Sequence, residues 1–152
     1  MRTFGRLIAT TAVAIALTTA VAGAPAHAGR SRWVDRHAMY KATNVSRDRF
    51  SRLDVAINRH MSKIALRHSR WMAGSDKLVH TSDPAKAYLQ GMSWHCWGEN
   101  IAVSGGTVAD VENAFMASPE HRANILNSCF KHVAIGATRI DGALWVTVFF
   151  YG

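Results

Sequence analysis

Acidic side chains and cysteines are both scarce in this chain. Asp and Glu number 10 against 18 Lys and Arg, a formal net charge of +8 at pH 7. There are two cysteines, no C-x-x-C pair and no H-E-x-x-H run. The first absence excludes a local zinc-ribbon or thioredoxin-like reading, and the second excludes the helical zinc-protease motif. No apolar run is long enough and clean enough for a retained membrane helix, because Thr10, Thr11, Thr18 and Thr19 interrupt the one between Leu7 and Val21. No paired arginines precede that run and no cysteine follows it, which disfavours twin-arginine export and a lipid anchor.

What is present at the N-terminus is the layout of a secretory signal. Arg2 and Arg6 lead into the apolar run, and small residues end it at Ala26-His27-Ala28. The expectation is a signal peptide over 1–28 cleaved after Ala28, a flexible lead-in over 29–34 and a single domain over 35–152, secreted to the extracellular side. A basic secreted protein meets anionic lipids, cell-wall polymers or acidic glycans before nucleic acid. Peripheral contact with anionic surfaces is therefore expected and nucleic acid is not, although plain solubility explains the charge as well. A monomer is the expected state. In an oxidising compartment Cys96 and Cys129 are expected to form a disulfide rather than free or metal-bound thiols. Closing a loop of about 32 residues stabilises a fold by roughly 3 to 4 kcal/mol in the chain-entropy model.

Along the domain, a weakly periodic helix is expected from Asp35 to about Asp48 with Met39, Thr43 and Val45 inward. Asn44-Val45-Ser46 also fits a glycosylation sequon. From Asp54 to Met72 the apolar residues Ile57, Met61, Ile64, Ala65 and Met72, together with His68, recur at spacings of 3 and 4. Arg59, Lys63, Arg67 and Arg70 fall opposite. That predicts an amphipathic helix started by Asp54 or Asn58 and stopped by Gly74, with His68 as a packing residue. Asp83-Pro84 predicts a short helix to Leu89. Thr107 to Asp110 forms a capping box for a helix whose inner face is Val108, Val111, Ala114 and Phe115. Ser118-Pro119 ends it and caps the next helix, placing His121 in that helix's first turn.

The C-terminal hairpin is the firmest structural expectation. Asp141-Gly142 signals a two-residue type I′ turn, which sets Ile140 opposite Ala143, Thr138 opposite Trp145, Ile135 opposite Val148 and Val133 opposite Phe150. Neither face of that hairpin is polar. Both must be covered, which predicts an α+β domain with the sheet between two helical layers.

Several segments together resemble a known family. They are Asn44-x-x-Arg47, Trp71-Met72-Ala73, His80, Gly98-Glu99-Asn100-Ile101, Phe115-Met116-x-Ser118-Pro119-x-His121-Arg122-x-Asn124-Ile125-Leu126, Val133 to Gly136, and Trp145-x-Thr147. The chain resembles the CAP superfamily of cysteine-rich secretory, antigen 5 and pathogenesis-related 1 proteins, in its small bacterial SCP-like form. That resemblance implies a three-layer α-β-α sandwich with a cleft lined by two histidines and acidic residues, a site that takes a divalent metal in some members. His80 matches the first histidine, Glu99 the glutamate of Gly-Glu-Asn and His121 the second histidine, with Asn100 beside them in the cleft. The second family glutamate falls at Ser118, so that acid is missing, and Glu120 stands where the bacterial pattern has glycine. Ala134 and Val148 replace a glycine and a polar residue of the family pattern, which implies a more apolar cleft floor.

Two imidazoles and a carboxylate, here His80, Glu99 and His121, make a familiar shell for zinc or another divalent metal, with a fourth position left for water. No cofactor is required by the sequence. Three functions follow. The first is a binding module for a lipid, a sterol or a cell-envelope component, and the second a structural or signalling domain. The third is a hydrolase in which His121 serves as base for Ser118 or a metal-bound water, with Glu99 orienting. A capping serine gives its oxygen to backbone N–H groups. Catalysis by Glu99, His121 and Ser118 is accordingly the least favoured of the three.

Overall fold

The computed structural model describes residues 31–152, with side chains from Trp33 onward. The expected signal peptide and the first two residues of the expected lead-in lie outside the described residues. The first helix, α1, spans Ser31–Arg49, so the rest of that lead-in is already helical. Trp33 stacks on His37 one turn later at 5.1 Å, which ties down the added turn. Met39 and Thr43 are fully buried as expected, whereas Val45 is half exposed. At about 100° per residue Val45 turns away from the Met39–Thr43 stripe, and Asn44, Ser46 and Arg47 turn in instead.

Those buried polar residues account for the Asn44-x-x-Arg47 motif. The Asn44 amide clamps Val55 through both its backbone groups, at 3.2 and 3.0 Å. The Arg47 guanidinium donates to the carbonyls of Leu53 (2.7 Å), Ile125 (2.6 Å), Asn127 (3.0 Å) and Phe130 (3.4 Å). A fully buried cation is tolerated because each of its three nitrogens has a carbonyl partner. With its side chain buried and bonded, Asn44 is not presented as a glycosylation site.

The same clamps rule out the earlier of the two expected starts of the second helix. Residues after Leu53 are held extended, and Ala56–Ile57 form β1. Helix α2 begins at Met61 and runs to Ser75. Asn58, not Asp54, serves its start, by accepting from the Met61 amide at 3.0 Å. Its stop is Asp76, which takes a left-handed conformation (φ 50°), while Gly74 remains helical. Short α3, Pro84–Leu89, follows with Asp83 accepting from the Lys86 amide. Then come β2 (Trp97–Ser104), α4 (Val108–Ala117) and α5 (Pro119–Ile125). Both halves of the Thr107–Asp110 capping box are formed.

The hairpin β3 (His132–Ile140) and β4 (Ala143–Tyr151) has the register read from the sequence, Ile140 facing Ala143 and Val133 facing Phe150. Asp141 and Gly142 both have positive φ, as the turn requires. The sheet order is β1-β3-β4-β2, parallel at β1 and antiparallel elsewhere. On one face Val133, Ile135, Ala137, Val146, Val148 and Phe150 pack with residues of α1, α4 and α5. On the other, Ala134, Phe149 and Tyr151 pack with α2 and α3, and Trp145 packs with Met72 and Ile101. The molecule is an α+β sandwich with helices on both sides of a mixed sheet. Cys96 and Cys129 form the expected disulfide, beside the C-terminal residue Gly152.

Candidate functional site

Strand β2 is the sheet's edge, and the residues expected to line a cleft gather along it. Glu99 projects on the α2 side of the sheet. Its carboxylate is fully engaged: Oε2 lies 2.9 Å from His80 Nδ1 and accepts from the Thr81 amide at 2.9 Å, and Oε1 accepts from the Thr81 hydroxyl at 2.7 Å. Burial alone would push this carboxyl up, but the hydrogen bonds from His80 and Thr81 together outweigh it and hold the group below its ordinary value. Glu99 is therefore an anion at neutral pH. The loop that brings His80 is anchored one residue earlier, where the carbonyl of Val79 meets His68 Nε2 at 2.9 Å. His68 has the packing role expected of it, and it also places His80.

From the opposite side of the edge comes α5. The Asn100 amide donates to the His121 carbonyl at 3.0 Å, and Asn124 donates to Asn100 Oδ1 at 2.8 Å. Gly98 lies beside them, where a Cβ would meet the Asn124 side chain and displace it from these bonds. The imidazole of His121 packs on Phe115 at 4.9 Å and its Nδ1 lies 2.9 Å from Ser118 Oγ. Ser118 has the backbone of an N-cap yet makes no side-chain capping bond. The expectation that its oxygen serves backbone N–H groups is thereby corrected: the ring three residues on takes its place. Burial, then the neighbouring His80, lowers the His121 pKa against a smaller pull from Glu120, so the ring is neutral at pH 7. Glu120 is half-buried and bonds none of the cleft side chains.

The expected trio is thus two pairs, His80 with Glu99 and His121 with Ser118. Both oxygens of Glu99 are occupied by protein donors, and among the described residues no group of three or more His, Cys, Asp or Glu side chains is placed to hold a metal ion. The arrangement does not fit a three-residue zinc shell.

Three contributors escaped sequence reasoning. Thr81 carried no signal beyond its place after His80. Tyr88 is buried in α3, stacked on Phe149 at 4.0 Å; burial and then Glu99 push its phenol up, and its hydroxyl, near Thr81, has no partner in hydrogen-bonding geometry among the described residues. The third is a groove running from His121 along β2, with about 420 Å³ of empty space counting the part open to solvent. Its walls are mainly Leu78, Ile101, Val103, Val111 and Phe115. The capping-box helix supplies one wall and the loop before His80 the other.

Comparison with known proteins follows the same outline. The model of the cysteine-rich secretory protein family, CAP, matches residues 34–149. Over 114 residues the chain is 32% identical to the uncharacterized protein YkwD of Bacillus subtilis, covering 70% of this chain and 43% of that one. It thus spans under half the length of that relative. An extracellular protein of Bacillus anthracis containing an SCP domain superposes with a TM-score of 0.70 at 22% identity, covering 86% of this chain and 45% of that one. An outer surface protein of Borrelia burgdorferi superposes with a TM-score of 0.69 at 18% identity, covering 78% and 92%. These last two likenesses are of fold.

Proposed function

The chain belongs to the cysteine-rich secretory protein (CAP) family, and from that premise we propose that it is an extracellular binding domain for an amphipathic ligand, a lipid-like molecule or a cell-envelope partner. The apolar part of the ligand lies in the groove along β2, and its polar part meets His121, which lines that groove, and the partly exposed His80. The observation that carries this reading is that the His121 imidazole lines the same groove as the apolar walls. Removing apolar ligand surface from water contributes about 25 cal/mol per Å². The signal-like leader and the description of a solved relative as extracellular support the location.

The experiment is native mass spectrometry of secreted protein followed by uptake of labelled oleate and cholesterol. Retention of ligand, lost when Ala114 at the groove wall is enlarged to Trp, supports the reading. Secreted protein that carries no ligand, neither lipid nor polypeptide, and takes up no apolar ligand overturns it.

The Ser118–His121 contact favours hydrolysis as a second reading, since a hydroxyl 2.9 Å from an imidazole is the geometry of an activated nucleophile. It ranks behind binding because Glu99 bonds His80 and Thr81 instead of orienting His121. Any esterase activity must disappear with both Ser118→Ala and His121→Ala; activity that survives them removes this reading.

A further inference from the structure

Among the described residues, strand β2 is paired on one side only, with β4. Which of its backbone groups face outward follows from one pair of bonds. Cys96 and Gly152 exchange both: the Cys96 amide donates to Gly152 O at 3.2 Å and the Gly152 amide to Cys96 O at 3.1 Å. The antiparallel register then continues unbroken from Trp97 opposite Tyr151 to Ser104 opposite Leu144. Because hydrogen-bonded and non-bonded pairs alternate, Gly98, Asn100, Ala102 and Ser104 turn their amides and carbonyls to β4, while Glu99, Ile101 and Val103 turn theirs away. The Glu99 carbonyl bears this out, accepting at 3.4 Å from Asn124 on the far side of the strand. Ile101 and Val103 have no such partner: from the described residues outside the sheet, no hydrogen bond reaches their N–H or C=O.

An open edge of this kind is normally protected by brevity, a charge, a proline or a bulge. β1, at the other edge, is two residues long. β2 is eight, and Ile101-Ala102-Val103-Ser104 has no charge, no proline and no bulge in its register. What shields it is recession: Val111, Ala114 and Phe115 of α4 stand over one face and Leu78 over the other. Two such recessed edges cannot approach each other, so a second copy does not fit. A single extended backbone needs only the width of one strand, about 4.8 Å. Its partial charges are complementary, since two donors and two acceptors repeat every second residue, about 6.7 Å apart, the repeat of a β-strand. Side chains alternating along such a guest meet apolar walls on both faces.

We infer that the groove takes an extended, apolar, proline-free peptide segment as a fifth strand on the open edge of β2, its backbone bonded to the amides and carbonyls of Ile101 and Val103. This rests on the binding reading above and makes its ligand a polypeptide partner rather than a lipid. Backbone bonds would supply affinity and the walls would select side chains, as in other strand additions.

The test uses the mature protein and the capped peptide Lys-Thr-Val-Ile-Val-Thr-Lys, with two isomers N-methylated at alternate amides, one set in each. Oleate is the lipid arm. Binding is read by amide hydrogen exchange and by titration. The expected result is that one N-methylated isomer loses about tenfold or more in affinity while the other keeps it, and that the Ile101 and Val103 amides become protected on binding. Equal tolerance of both isomers, or protection that misses those two amides, overturns the inference. Uptake of oleate without any peptide binding also overturns it and leaves the binding reading standing. If neither oleate nor peptide binds, both fall together.

Discussion

Thr81 holds both oxygens of Glu99, its hydroxyl on Oε1 at 2.7 Å and its amide on Oε2 at 2.9 Å, where His80 also arrives. The carboxylate is thus oriented by the chain itself. Thr81→Val removes the hydroxyl bond and keeps the shape, and is expected to lower stability at pH 7 by about 1.5 kcal/mol. In the folded protein Glu99 titrates below its ordinary range. Its contribution is therefore complete above the unfolded value of about 4.3 and is lost as pH falls through the lower folded value. Urea unfolding between pH 7 and pH 3 should show a shallower acid loss in the variant than in the parent. Identical acid profiles would show that the Thr81 hydroxyl does not hold the Glu99 carboxylate in its ionised form.

His121 is held neutral chiefly by burial and next by His80. Ring-nitrogen chemical shifts are expected to place its titration below the ordinary histidine value of about 6.5. His80→Ala should raise it only part of the way, because burial remains the larger cause. The unfolded chain takes up a proton below about 6.5 while the folded ring resists, so stability drops as pH falls from there toward the folded value. A His121 titration unmoved by His80→Ala would mean that the two rings do not sense each other.

How much of this was legible follows from how local each cause is. The β3–β4 register depends on a two-residue turn and a period of two, both written in contiguous sequence, and it came out in full. The capping box at Thr107 is equally local. The start of α2 stayed open between Asp54 and Asn58, and the structure takes Asn58, because Asn44 and Arg47, one helix earlier, bond the backbones of Val55 and Leu53, a tertiary cause that periodicity does not carry. Ser118 was misread for a subtler reason: two acceptable uses of one hydroxyl compete within a single turn, and the His121 ring prevails. Family motifs named His80, Glu99 and His121, but the groove is built from three separate segments and has no linear signature.

Glu112 on α4 is buried against α1, with Oε2 accepting from Thr43 at 3.3 Å and Oε1 without a hydrogen-bond partner among the described residues. Burial pushes its pKa up, against weaker pulls from Ser46 and Thr43. The folded state therefore binds more protons than the unfolded state above about 4.3, and stability is lost as pH rises through the folded value. Glu112→Gln keeps the shape without the charge. It is expected to stabilise the protein at pH 7 by on the order of 1 kcal/mol and to be nearly neutral at pH 4. Denaturant melts at the two pH values check this, and a loss of stability at pH 7 would contradict it.

For zinc to bind His80, Glu99 and His121 together, the ion would have to displace the His80–Glu99 bond and free a carboxylate oxygen from Thr81. Ligands that bind only the native state raise the melting midpoint by mass action. Scanning calorimetry with and without a tenfold excess of zinc is therefore expected to show no rise. A rise of several degrees that disappears with His80→Ala would show that the pairs open to make a shell.

Gly136 is where β3 and α2 come closest: a Cβ there would overlap the backbone of Ala65 and Leu66. Since the obstacle is main chain and not the tip of a flexible side chain, Gly136→Ala can be accommodated only by lifting α2 from the sheet. Overpacking of that kind costs about 1 to 3 kcal/mol. The consequence reaches the site, because α2 carries His68, whose ring holds the Val79 carbonyl and with it the His80 loop. Ser69 on the same helix also bonds Thr147 of β4 at 2.9 Å, so the displacement strains a second contact. The variant should therefore lose stability and also move the His80 and His121 ring resonances. His68→Ala is expected to do the second with much less of the first. If Gly136→Ala lowers the melting midpoint while leaving both imidazoles where they were, α2 does not transmit its position to the cleft.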